Sequence, residues 1–207
     1  DDWLENNTVF SRISTHYQRT QCEISYGNFV TSHNKTGFVH PLPEWIHQHN
    51  LYRCVYPFFM GPLRTFLGSL WNRLDRDKLP HSNGDFFNAS GDCALLFALC
   101  EQSDGQVHCL NEVFYVVNRH NSNHVDMLRP DHQKENARII RSMQSSGKNN
   151  FTETERWEHV TDTQLQELIE LEAMVMSQFD QHGISYFKEP FDDISTHSSN
   201  PSLRIKA

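Results

Sequence analysis

VHCLNEVFYVVN (Val107–Asn118) is the stretch on which the fold turns. Its β-branched and aromatic residues crowd into Val113–Val117, the composition of a pleated, half-buried surface, and a polar run beginning at Asn118 ends it. The spacing therefore predicts a strand, and its neighbours alternate in type. Upstream, Asp92 to Cys100 (DCALLFALC) is a short apolar helix; downstream, Pro130 to Met143 is a second helix. Further out, EISYGNFVT (Glu23–Thr31) predicts another strand, residues 3–19 a helix, and Leu63 to Leu74 a helix with Pro62 in its first turn. Lys148 to Thr154 reads as a loop. The clearest helix is Thr161 to Gln181, where Thr161 and Gln164 form a capping box and Gly183 supplies the stop. Helices interleaved with strands define an α/β class. The strands are too few for a self-sufficient parallel sheet, which predicts that an N-terminal portion of the fold lies before Asp1.

Composition narrows the function classes. The chain has 207 residues, 37% of them hydrophobic, enough for one domain with a real core. Its 18 Lys and Arg face 26 Asp and Glu, a formal charge of -8, which argues against a broad nucleic-acid or anionic-membrane surface. No run reaches the roughly 20 apolar residues that cross a bilayer, and no leader pattern precedes Asp1, so the expectation is a cytoplasmic protein without a transmembrane segment. Five cysteines, an odd number without a CxxC pair, read as reduced structural thiols. Thirteen histidines fall in no ligand spacing such as HExxH, so each reads as a surface or satisfied core residue.

Five pieces, taken in order, resemble the second half of a family 2-type glycosyltransferase of GT-A fold: DDWL (Asp1–Leu4), ISYGNFV (Ile24–Val30), PLRTF (Pro62–Phe66), GDFFNASGDCALLFALCE (Gly84–Glu101) and EVFYVVNRHNSN (Glu112–Asn123). The resemblance covers about residues 1 to 145. It implies a GT-A-like, Rossmann-related mixed sheet flanked by helices, with the N-terminal nucleotide-binding strands lying before residue 1. Residues 1–150 would form the C-terminal part of that catalytic domain, 151–187 a helical extension and 188–207 a flexible tail. The implied activity is metal-dependent, inverting transfer of a sugar from a nucleotide diphosphate donor to the hydroxyl of a glycan or other acceptor.

The same resemblance assigns roles. DDWL is similar to the end of a D-x-D-D-W-L segment, so Asp1 and Asp2 would hold Mn²⁺ or Mg²⁺, hard cations that bridge carboxylates to phosphate oxygens; the bland alternative is that both merely cap a helix starting near Trp3. Asp92 matches the family's catalytic base, which takes the proton of the attacking hydroxyl; it also suits the N-cap of its helix. Glu101 matches a family acidic position on the substrate side, although the proline that precedes it in the family is replaced by Phe97-Ala98-Leu99. Arg64 could grip phosphate or an acceptor group in bidentate fashion, or serve a structural salt bridge. Asn118, Arg119 and Asn121 follow the best strand, where α/β sheets place ligand contacts, and polar residues there also simply end strands. His124, with Asp126 nearby, would be a late metal ligand. Arg156-Trp157 echoes the RW pair of processive sugar polymerases, but Glu153 stands where those carry Gln or Arg. The competing function class is a non-catalytic interaction module, with the helix at Thr161–Gln181 seeking a partner; oligomeric state is open.

Overall fold

The strand predicted over Val107–Asn118 lies inside the sheet, between an edge strand and the longest partner it has. The computed structural model describes residues 2–34, 36–37, 39–55, 58–79, 84–120 and 130–181. In chain order these form β1 (Trp3–Leu4), α1 (Val9–Arg19), β2 (Ile24–Thr31), β3 (Thr36–Gly37), α2 (Glu44–His49), β4 (Thr65–Phe66), α3 (Gly68–Arg73), α4 (Gly91–Gln102), β5 (Val107–Val117), α5 (Pro130–Ser142), α6 (Glu153–Glu158) and α7 (Asp162–Gln181). The sheet runs β1-β5-β2-β3, with β4 also on β2. Only β2 and β5 are parallel; the other pairings are antiparallel. The class is thus α/β with a mixed sheet flanked by helices.

β2 is buried along almost its whole length, as expected of a parallel strand covered on both faces. On one face, Val9 and Ile13 of α1 close over Phe114 with Leu63 and Leu110. On the other, Ile24 and Tyr26 meet the main core, built from α2, α4, α5 and the aromatic run Phe58–Phe59. Gly27 is required where the two strands press together, since a Cβ there would stand 2.7 Å from the Phe114 ring. The pairing slips beside it: Gly27 faces Leu110, while Asn28 faces Val113. Asn28 ties this bulge down by donating to Asn111 Oδ1 (3.1 Å) and accepting from the Val39 amide (2.8 Å).

Helix α4 is apolar on every side and occupies the centre of the main core, with Ala94 and Leu96 to Cys100 all buried. Trp157, Val160, Leu165 and Leu168 of the C-terminal helices are buried in the same apolar cluster, so residues 153–168 share this core. The predicted capping box of the last helix is present: the Thr161 amide donates to Gln164 Oε1 (2.9 Å) and the Gln164 amide to Thr161 Oγ1 (3.3 Å). Thr152 and Glu155 cap α6 in the same reciprocal way, inside what the sequence suggests is a loop. Among the described residues, no helix is long and apolar enough to cross a membrane. The proposed tail, 188–207, lies outside the described residues.

Two expectations need correction. The helix read over 3–19 begins only at Val9: Trp3 and Leu4 instead pair with Val116 and Tyr115, because the open edge of β5 offers hydrogen bonds that a first helical turn would forgo. Asn6 Oδ1 accepts from the Thr8 amide (2.8 Å) and turns the chain between the two elements. The helix read over 63–74 shrinks to Gly68–Arg73. Its apolar residues serve different faces, Leu63 packing with α1 while Leu70 and Leu74 enter the main core, and Thr65–Phe66 are drawn onto β2. Pro62 therefore starts no helix.

Candidate active site at the carboxyl end of the parallel strands

Because β1 runs antiparallel to β5, with Trp3 opposite Val116, the residue just before Trp3 falls opposite Val117, next to Asn118. That residue is Asp2, and its carboxylate is held there: Oδ1 accepts from the Asn118 amide at 2.7 Å and Oδ2 from the Tyr115 hydroxyl at 3.2 Å. Asp2 is consequently no helix cap. It is an exposed carboxylate fixed at the carboxyl end of the parallel pair, the place where open α/β sheets bind ligands. Asp1 lies outside the described residues.

The second carboxylate arrives from the other side. Ser90, in the left-handed region at φ 58°, turns the chain into α4 and leaves Asp92 in the first turn with its side chain about half exposed (52%). Arg64 Nη1 donates to Asp92 Oδ2 at 2.6 Å, and Arg64 Nε donates to the Met60 carbonyl at 2.9 Å, with the guanidinium 5.2 Å from the centre of the Phe58 ring. An arginine so braced fixes the direction of the carboxylate it holds.

Tyr115 is the partner of the first carboxylate. Burial raises its hydroxyl above the ordinary tyrosine range, the Asp2 charge and hydrogen bond raise it further, and the Arg64 guanidinium acts against both. Tyr115 thus holds Asp2, and Arg64 holds Asp92, ninety positions further along the chain. Each carboxylate is anchored, Asp2 by a phenol and Asp92 by a guanidinium, groups suited to cation binding, proton acceptance and anion contact.

The remaining sequence-predicted residues separate into three groups. Asn118 contributes its amide to Asp2, and its side-chain oxygen accepts from the His120 amide (3.1 Å). The Arg119 amide donates to Ser32 Oγ (3.0 Å), tying the ends of β5 and β2 together. Asn121, His124 and Asp126 lie outside the described residues. Glu101 is the correction. It is 2% exposed, Arg53 Nε and Nη2 donate to its two oxygens at 2.5 and 3.1 Å, and the Ser146 amide adds a third bond at 2.6 Å. A carboxylate so enclosed serves the core and contacts no substrate. Arg156 is likewise buried and structural, donating from Nη2 to the Met143 carbonyl (2.9 Å).

Tyr115 was not singled out by its residue type, because a tyrosine inside an apolar strand reads as core. The period-two alternation could have found it: Phe114 faces α1, so Tyr115 must face the opposite side of the sheet. All five cysteines are free thiols, with Cys22, Cys54 and Cys100 buried. Burial pushes the Cys54 thiol up to about 12 and Cys109 to about 11. No family model, no curated protein and no solved structure matches the chain.

Proposed function

We propose that the chain carries the acceptor and cation side of a metal-dependent glycosyltransferase of GT-A-like fold. The observation that supports this reading best is the anchoring of Asp2 by Tyr115 and the Asn118 amide at the carboxyl end of the parallel strands, with Asp92 held by Arg64 at the start of α4. Asp1 and Asp2 hold Mn²⁺ or Mg²⁺ against the donor diphosphate, oxygen chemistry those ions prefer. Asp92 takes the proton from an acceptor hydroxyl, and Arg64 positions it. Attack on the face opposite the departing diphosphate then inverts the anomeric centre. Tyr115 keeps Asp2 turned toward the cation. The donor is a nucleotide diphosphate sugar and the acceptor a hydroxyl of a glycan or similar molecule, with nucleic acid no partner.

The test is release of nucleoside diphosphate by the full-length protein from a panel of uridine and guanosine diphosphate sugars. The expected result is release that needs Mn²⁺ or Mg²⁺, stops with a chelator and rises with a glycan acceptor. A protein silent with every donor while a partner protein co-purifies in stoichiometric amount favours the interaction module instead.

A further inference from the structure

A second set of side chains meets at the opposite end of the sheet. Arg19 closes α1, and three residues later Cys22 precedes β2; His16 stands in the last turn of α1 and His108 is the second residue of β5. In the parallel register His108 pairs with Ser25, which brings the start of β5 alongside the segment that holds Cys22. His16 Nε2 and His108 Nδ1 are 2.9 Å apart, and one ring nitrogen of each histidine lies within 4.8 Å of the other and of Cys22 Sγ. Cys22 is 2% exposed; both imidazoles are half-buried.

The residue types and separations suit one ion. A tetrahedral zinc with Zn–N of about 2.0–2.1 Å and Zn–S of about 2.3 Å spaces two nitrogens by about 3.3 Å and nitrogen from sulfur by about 3.6 Å. The two rings thus need to part by only a few tenths of an ångström, well within the reach of small χ rotations. Two imidazoles and a thiolate select a borderline-soft metal over Mg²⁺ or Mn²⁺. In the metal-free protein the Cys22 thiol donates to the Ile24 carbonyl (2.9 Å), a hydrogen bond that zinc binding replaces. Three protein ligands leave a fourth position, and His16 forms part of the wall of an open cavity of about 420 Å³ lined also by Arg12, Thr15, Arg19 and Glu112.

We propose that His16, Cys22 and His108 bind one Zn²⁺, with water or a small anion from the adjoining cavity as the exchangeable fourth ligand. On binding, the Cys22 thiol gives its proton to solvent as the zinc–sulfur bond forms, the proton shared between the two imidazoles moves through solvent to the other nitrogen of its ring, and the freed nitrogens form two zinc–nitrogen bonds. The ion clamps α1 to the first residues of β2 and β5. This site is separate from the Asp2–Asp92 edge and stands whether or not sugar transfer is found there.

Cobalt substitution tests it. Adding Co²⁺ to the metal-free full-length protein should give a thiolate-to-cobalt charge-transfer band that saturates at one equivalent, whatever further cobalt the carboxylates take up. Cys22→Ser should abolish the band, His16→Gln and His108→Gln should each weaken binding at least tenfold, and Asp2→Asn should leave it unchanged. Zn²⁺ should displace the cobalt and raise the Tm of the native chain. Should Cys22→Ser fail to fold, His16→Gln, on the half-exposed face of α1, decides. Azide should shift the cobalt spectrum; an unshifted spectrum overturns the open fourth position. Absence of the charge-transfer band, or its survival in His16→Gln at unchanged affinity, overturns the site and leaves only a histidine–histidine hydrogen bond.

Discussion

Asp92→Asn is expected to lower sugar transfer by about 10²–10⁴-fold, the usual contribution of a positioned general base. The substitution keeps the shape of the side chain and one oxygen for Arg64 Nη1, so it removes proton acceptance while sparing the geometry. Stability should change little. Asp92 is about half exposed, and a charge in the first turn of a helix contributes about 0.3–1 kcal/mol. Cation and nucleotide binding should persist, since the cation is assigned to Asp1 and Asp2. Arg64→Lys should fall between, because a lysine cannot reproduce a guanidinium braced by both Met60 and Asp92. Transfer within a few-fold of the native rate in Asp92→Asn would show that another group takes the proton.

Glu101→Ala is expected to be the most damaging single change to the fold, with a loss of about 3–5 kcal/mol against a total of about 5–15 kcal/mol for a domain. The mechanism is an orphaned charge. Arg53 is 4% exposed, and Glu101 receives two of its donors; a third, Nη1, goes to the Ile140 carbonyl. Arg141 lies next door, donating to the carbonyls of Arg53 (3.1 Å) and Val55 (2.5 Å), and the Arg53 and Arg141 guanidiniums lie 5.5 and 5.1 Å from the centre of the Phe97 ring. Without the carboxylate, neighbouring buried guanidiniums repel in a medium that screens them poorly. The Ser146 amide also loses its acceptor. Urea unfolding should show a lower midpoint with an unchanged slope. Replacing the pair together, Arg53→Met with Glu101→Leu, should recover part of the loss, since buried pairs often exchange for apolar contact at little net cost. Equal midpoints for Glu101→Ala and the native protein would contradict this role.

The sequence made the long elements readable and left the short ones hidden. β2, β5, α4 and α7 carry periodicity, apolar runs or a capping box within themselves, so their positions followed from composition. β1 and β4 have two residues each and exist only because a longer strand offers them hydrogen bonds, which no local pattern announces. The same distinction governs the site. The place of Asp92 at the head of an apolar helix was legible in the sequence, while its role as base came from the family resemblance alone. Whether Asp2 caps a helix or faces the strand ends depended on the register of β1 against β5, more than a hundred positions away in sequence. Glu101 misled because its partner Arg53 sits 48 positions upstream, and burial of a charge is decided by such a partner. His16, Cys22 and His108 were passed over for a related reason: His108 follows His16 by 92 positions, so no motif spacing joins them.

The central claim is that the carboxylates at the start of the chain and Asp92 border one cation-binding edge. The most direct measurement is paramagnetic broadening of backbone amide resonances on titration with Mn²⁺. Broadening is expected at both Asn118 and Asp92, with Gly147, behind α4 against the Glu101 carbonyl, left sharp. Broadening of Asn118 with Asp92 as sharp as Gly147, or of neither, would contradict the account.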